Sequence, residues 1–143
     1  MMIALASDHA GFNYKENTKE LLDSLGLAWK DYGTDSTDRV DYPDFAHKAS
    51  KAILEGECDR GIFICGTGIG ISIAANRHKG IRAAACQIEE AAYYTRLHND
   101  SNVLAIGERL VSWEAAERII KMWLDTDFEG GRHIIRVEKI DLP

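Results

Sequence analysis

The chain has 143 residues, of which 45% are hydrophobic and 28% charged, and a net charge of -6. That is the length of one domain with a real core, and the acidic balance argues against a nucleic-acid surface or a basic membrane patch. The N-terminal stretch lacks the pattern of a secretory leader, no apolar run reaches spanning length, and three cysteines without CxxC spacing suit reduced thiols in a cytoplasm.

Met2 to Ser7 reads as a first strand and runs into Asp8-His9-Ala10-Gly11. A helix is expected from about Phe12, with Tyr14, Thr18, Leu21, Leu22 and Leu25 on one stripe and Gly26 as its stop. Leu27 to Tyr32 reads as a shorter strand and Gly33 to Val40 as a polar loop. Asp41-Tyr42-Pro43-Asp44 opens the next helix, because proline suits a first turn and acids suit the dipole. Gly61 to Cys65 is wholly apolar, as expected of a strand covered on both faces of a parallel sheet. It passes through three alternating glycines, Gly66, Gly68 and Gly70, into a small apolar helix that closes with Arg77-His78-Lys79-Gly80. Ile81 to Cys86 is a fourth strand, Glu89 to Leu97 a helix, His98 to Ser101 a turn and Asn102 to Ile106 a fifth strand. Ser112 caps a long amphipathic helix, an acidic loop ends in Gly130-Gly131, and a last helix runs from about Arg132 to Ile140. Alternating strands and helices imply an α/β sandwich with a mostly parallel sheet, and ligands in such folds bind at the carboxyl ends of the strands.

Asp8-His9, the Cys65 loop and Arg109 all fall just after strands. The N–H groups of a glycine loop converge on an anion, and a cysteine beside them is favoured as thiolate. Cys65 is therefore a candidate base or nucleophile, and the histidines at 9 and 98 are candidate partners. Thr67 places a hydroxyl in the cradle or caps the helix behind it. Arg132 and Arg136 share a helix face near its N-terminus, where cations oppose the dipole and an anionic ligand would resolve the conflict. A solvated basic face fits the same pair. The five histidines are scattered along the chain, so no metal site is expected. A dinucleotide site would want G-x-G-x-x-G after the first strand, where Asp8-His9-Ala10-Gly11 stands.

Asp8-His9, Asp41-Tyr42-Pro43, Cys65-Gly66-Thr67-Gly68-Ile69-Gly70-Ile71-Ser72, Ala74-Ala75-Asn76, His98-Asn99-Asp100 and Gly130-Gly131-Arg132-His133 together resemble type B ribose-5-phosphate isomerase, in register over almost the whole chain. The resemblance implies one domain with a Rossmann-like α/β/α fold and a five-stranded parallel sheet. It further implies no cofactor or metal, a phosphorylated sugar as substrate, and homodimers with shared active sites, sometimes paired into tetramers. The C-terminal helix is expected to reach toward a partner subunit. By the same resemblance Cys65 moves the proton between the first two carbons, with Thr67 beside it, and His98 opens the furanose ring. The backbone of Gly66, Thr67, Gly68, Ile69 and Gly70 holds the enediolate, and Asp8 and Asn99 hold sugar hydroxyls. His9, Arg109, Arg132 and Arg136 hold the phosphate, the last two from the partner subunit. One branch of the family uses a glutamate in place of the cysteine; the matching position here is Ile71, which places the chain with the cysteine branch. The competing expectations are an isomerase of allose 6-phosphate, galactose 6-phosphate or a rare sugar, or a non-catalytic phosphosugar-binding module.

Overall fold

The computed structural model describes residues 1–143 as a single five-stranded parallel sheet in the order β2-β1-β3-β5-β4. The strands are β1 Met2–Ser7, β2 Ala28–Asp31, β3 Arg60–Cys65, β4 Ala83–Ala85 and β5 Val103–Gly107. The helices are α1 Phe12–Ser24, α2 Tyr42–Leu54, α3 Ile69–Ala75, α4 Glu89–Asn99, α5 Trp113–Asp125 and α6 His133–Glu138. Between β1 and β3 the chain order reverses direction across the sheet, which opens a crevice at their carboxyl ends.

Side chains alternate across each strand, and the alternation divides two cores. Ile3, Leu5, Ile62, Ile64, Leu104 and Ile106 face α1, α4 and α5, which bury Leu22, Ile119, Ile120 and Trp123 against them. On the other face the strands offer small residues, Ala4, Ala6 and Ala105 beside Phe63 and Val103. Here α2 and α3 answer with Ala46, Ala49, Ala52, Ile71 and Ala75, so these helices sit close to the sheet. Cys65 belongs to this second face. Trp123 is fully buried, and its indole N–H donates to Ser101 Oγ at 2.9 Å. Truncating it to alanine would cost about 3–5 kcal/mol.

The end of β2 is tied down by charge. The ammonium of Lys15, fully buried, pairs with Asp31 and Glu16, and Lys19 joins both carboxylates. Burial alone would push the Asp31 carboxyl up, but hydrogen bonds from Lys15 and Lys19 outweigh it and hold it below its ordinary value. Removing one partner of such a buried pair leaves an uncompensated charge, at a cost of about 3–5 kcal/mol.

Three element boundaries differ from expectation, each for a local reason. β4 is short because side-chain amides replace the ladder at its start: Asn102 Oδ1 accepts from Arg82 N–H and Asn76 Oδ1 from Ala83 N–H, both at 2.7 Å. α4 continues through Asn99, so His98 and Asn99 lie in its last turn and the reversal occurs at Asp100, which has φ +47°. Arg96 and Arg82 both grip the Asp100 carboxylate and fix that reversal. α6 spans only His133–Glu138, which puts Arg136 in its last turn, where a cation suits the dipole, and leaves only Arg132 at its start.

Candidate active site

The carboxyl edge of the sheet gathers Asp8, His9, the Cys65 loop and Arg109. Asp8 follows β1 and is buried; its Oδ1 accepts from the N–H groups of Ala10 at 3.0 Å and Gly11 at 3.2 Å. That fixes the carboxylate at the mouth of the β1/β3 crevice and leaves Oδ2 unengaged by protein. His9 Nδ1 accepts from Val40 N–H at 3.1 Å, so the proton sits on Nε2 and the 33–40 loop is pinned over this edge.

Cys65 ends β3 and is 4% exposed. Its Sγ accepts from Gly68 N–H at 3.2 Å. Gly68 has φ +75°, and a Cβ there would lie 2.9 Å from the Ile106 carbonyl carbon, so only glycine lets the loop curl over its own sulfur. Gly107 brings β5 equally close: a Cβ would fall 2.5 Å from Thr67 backbone. Gly66 and Thr67 donate their N–H groups to no protein acceptor, and in the first turn of α3 those of Gly70 and Ile71 have none either. Thr67 Oγ1 accepts from Ile69 N–H at 3.2 Å, so the hydroxyl serves the helix start while remaining at the exposed tip of the loop.

Arg109 lies over the same loop. Its N–H donates to Gly66 O at 2.9 Å, and a Cβ on Gly66 would stand 3.0 Å from Arg109 Nη1. Its guanidinium is exposed and makes no ion pair. Two further residues complete this edge without a clear sequence signal. The ring of Tyr42, first residue of α2, covers Gly70 so closely that a Cβ there would come within 2.8 Å of it. Glu108 Oε1 accepts from Tyr14 N–H at 2.7 Å and so caps α1 from ninety-four residues away. Burial and then the charge of Asp8 push the Glu108 carboxyl above its ordinary value, against the pull of the Tyr14 hydrogen bond.

His98, Asn99, Arg132 and Arg136 are gathered at the opposite edge. A helix between two parallel strands returns the chain to the edge from which the strands start, so the end of α4 faces away from Cys65. Asn102, three residues after Asn99, accepts from Gly61 N–H at 2.9 Å, and Gly61 is four residues below Cys65 on β3. Four strand steps are about 13 Å, more than the length of a pentose phosphate. The predicted site residues of one chain therefore form two groups and not one.

In the second group, the His98 ring stacks on His133 at 4.3 Å between centroids and 16° between planes. Glu129 Oε2 lies 3.0 Å from His133 Nε2 and 3.9 Å from His98 Nε2. The expectation of scattered histidines thus fails for this pair, which folding brings together across thirty-five residues of chain. Arg132 and Arg136 are exposed and make no ion pairs. Asn99 lines a cleft of about 300 Å³ with Asn76, Arg82, Ser101, Ile140 and Asp141. Cys65 is not among the residues that line this cleft. No helix is long and apolar enough to cross a membrane.

Known proteins share this arrangement from end to end. The sequence profile of the family described as Ribose/Galactose Isomerase matches residues 3–140. Ribose-5-phosphate isomerase B of Escherichia coli is 49% identical over 96% of this chain and 93% of its own length. D-erythrulose-4-phosphate isomerase of Pectobacterium atrosepticum is 42% identical over 98% of this chain and 93% of its own length. The solved structure of ribose-5-phosphate isomerase B from Clostridium thermocellum superposes with a TM-score of 0.97 at 51% identity, covering 98% of this chain and 95% of that one. The five-stranded parallel sheet with its helices matches the fold of that isomerase B structure, and the chain belongs to the ribose/galactose isomerase family.

Proposed function

We propose that this isomerase interconverts ribose 5-phosphate and ribulose 5-phosphate at sites assembled from two copies of the chain. The observation that carries the reading is the Cys65 loop: a sulfur held by Gly68 N–H, unpartnered N–H groups at Gly66 and Thr67, and an unpaired Arg109 against them.

His98 of one copy protonates the ring oxygen of ribose 5-phosphate bound at the Cys65 edge of the other, the bond from C1 to the ring oxygen breaks, and the C1 hydroxyl gives its proton to solvent, so that C1 becomes an aldehyde. The Cys65 thiolate then takes the proton from C2, and the electron pair moves to the C1 oxygen, giving an enediolate. The N–H groups from Gly66 to Gly70 meet that charge; in the best-studied enzyme one such donor is worth about 2.7–4 kcal/mol. Return of the proton to C1, with transfer of the C2 hydroxyl proton to the C1 oxygen, leaves the ketose. Asp8 Oδ2 and Asn99 hold hydroxyls. His9 and Arg109 hold the phosphate from one side, and Arg132 and Arg136 hold it from the other. Binding at the phosphate orients the open chain for transfer.

Assembly from two copies is supported by the separation of the two residue groups within one chain and by the apolar surface beside each. Ile69 and Ile73 on α3 are 50% and 60% exposed, and Ile135 on α6 is 61% exposed. The three free, buried thiols suit the cytoplasm. A coupled assay giving kcat/KM for ribose 5-phosphate, allose 6-phosphate and erythrulose 4-phosphate tests the substrate. The pentose should lead by at least about tenfold, a difference of 1.4 kcal/mol in transition-state stabilisation. A lead for either of the others would overturn the assignment.

A further inference from the structure

His98, Glu129 and His133 come from the end of α4, the acidic loop and the start of α6, and their ligand atoms lie within 4.8 Å of one another. Nothing in the isomerisation uses Glu129 or His133. His133 is only 6% exposed, and its Nε2 makes no hydrogen bond. The Glu129 oxygen 3.0 Å away is off the direction that a hydrogen bond needs, yet it is the group that nitrogen faces. An unpartnered buried nitrogen is costly unless something supplies the missing contact.

We infer that His98, Glu129 and His133 form a binding site for a divalent transition metal ion of borderline softness, with Zn²⁺ as the type case. Two imidazoles and one carboxylate are a donor set that such ions accept with a coordination position left open. Ligand atoms at 2.0–2.1 Å from a tetrahedral ion are about 3.3 Å apart. Glu129 and His133 already stand at 3.0 Å, and His98, at 3.9 Å from the carboxylate and within 4.8 Å of the His133 nitrogen, needs to close by up to about 1.5 Å. Its side chain is 35% exposed and that of Glu129 49% exposed, so both can make that movement while buried His133 stays fixed. The charge balance is also suitable: residues 125–138 carry four carboxylates, Asp125, Asp127, Glu129 and Glu138, against the two guanidinium groups of Arg132 and Arg136. The ion acts as an inhibitor, because coordination takes the His98 nitrogen needed for ring opening. That consequence, unlike the binding itself, rests on the isomerase reading.

The test is a Zn²⁺ titration of the chelator-stripped protein against a chromogenic competitor, repeated with Co²⁺ to read ligand-field bands. One ion per chain should bind with a tetrahedral-type Co²⁺ spectrum. Glu129→Gln and His133→Asn, each checked for folding by circular dichroism, should weaken binding by at least about tenfold, which is what loss of even an outer-shell partner costs. Glu129→Gln lies on a half-exposed loop and keeps the test decisive if the buried His133→Asn fails to fold. Full affinity in the folded Glu129→Gln protein, loss of binding only with Cys65→Ala, or loss only with His47→Gln at the separate His47–His78 pair, whose Nδ1 and Nε2 lie 2.7 Å apart, would each overturn the site. In that event an active enzyme leaves the isomerase reading intact. Binding of Zn²⁺, with a tetrahedral-type Co²⁺ spectrum, by a chain that isomerises none of the sugar phosphates would support the site and overturn that reading instead.

Discussion

Cys65→Ala and His98→Asn should each abolish turnover, yet refolding the two proteins together should restore it. Within one chain the Cys65 loop follows β3, whereas His98 ends α4 at the opposite edge, more than four strand steps away. One substrate cannot touch both, so each site must draw Cys65 from one copy and His98 from another. In an isologous dimer the two sites are related by the two-fold axis. A mixed dimer then contains one site with both damaged residues and one with neither. Equal amounts of the two proteins, unfolded and refolded together, give mixed dimers as about half of the population, with one intact site in two. The expected activity is about a quarter of wild type, and tetramers built by pairing such dimers leave that fraction unchanged. Native mass spectrometry of isotope-labelled partners counts the mixed dimers, and the coupled assay gives the rate. Activity that stays at the floor of the single mutants, with mixed dimers present, would falsify the two-copy site.

Three further outcomes follow from single side chains. Cys65→Ala should lower kcat by at least about a hundredfold, the lower bound of general-base contributions, with inhibitor affinity near wild type; equal loss in kcat and affinity would point to a binding role. Glu108→Ala should destabilise by about 1 kcal/mol in chemical denaturation by uncapping α1, whereas Glu108→Gln keeps an acceptor for Tyr14 N–H and removes the repulsion with Asp8, so it should be neutral or slightly stabilising near pH 7. Burial and then the neighbouring His47 depress His78, so its contribution to stability is present above its unfolded value near 6.5 and is lost as pH falls below it. Stability should therefore drop by up to about 1 kcal/mol on acidification through pH 6, the scale of a partly exposed charge pair. His47→Gln should flatten that slope, and an unchanged slope would rule out the pair as its source.

The Cys65 edge was legible because its signals are local. An apolar run that ends in a cysteine and three alternating glycines specifies a buried strand, a tight turn and a helix start within sixteen residues, and the observed β3 and α3 follow it. The reversal after Asn99 was misread because its mark is an aspartate in the left-handed region and not the glycine that ends α1 and α2. What holds Asp100 there is Arg96, one turn earlier in α4, together with Arg82, eighteen residues away just before β4. Glu108 capping α1 and the His98–His133 stack join residues ninety-four and thirty-five positions apart, and no window of sequence contains either pair. Arg136 was read against the wrong end of its helix because the length of α6 is set by docking on α4 and not by a cap of its own.

The division of the site between two edges bears on how substrate length is selected. The thiol and the N–H cradle are held by β1, β3 and β5, whose backbones are locked in register and buried on both faces. Arg132 and Arg136 instead ride on a six-residue helix that touches its own chain mainly through His133 and α4. The gap between reacting carbons and phosphate is then the distance between a rigid sheet edge of one copy and a short, lightly anchored helix of another. A pocket within one chain would need a repacked core to accept one carbon more or less, and a packed core resists volume changes of a single methylene. A shift of α6 needs only the movement of a surface element. In the proposed two-copy site the sheet fixes the reaction, and the contact between copies, together with His9 and Arg109, sets the length of the sugar.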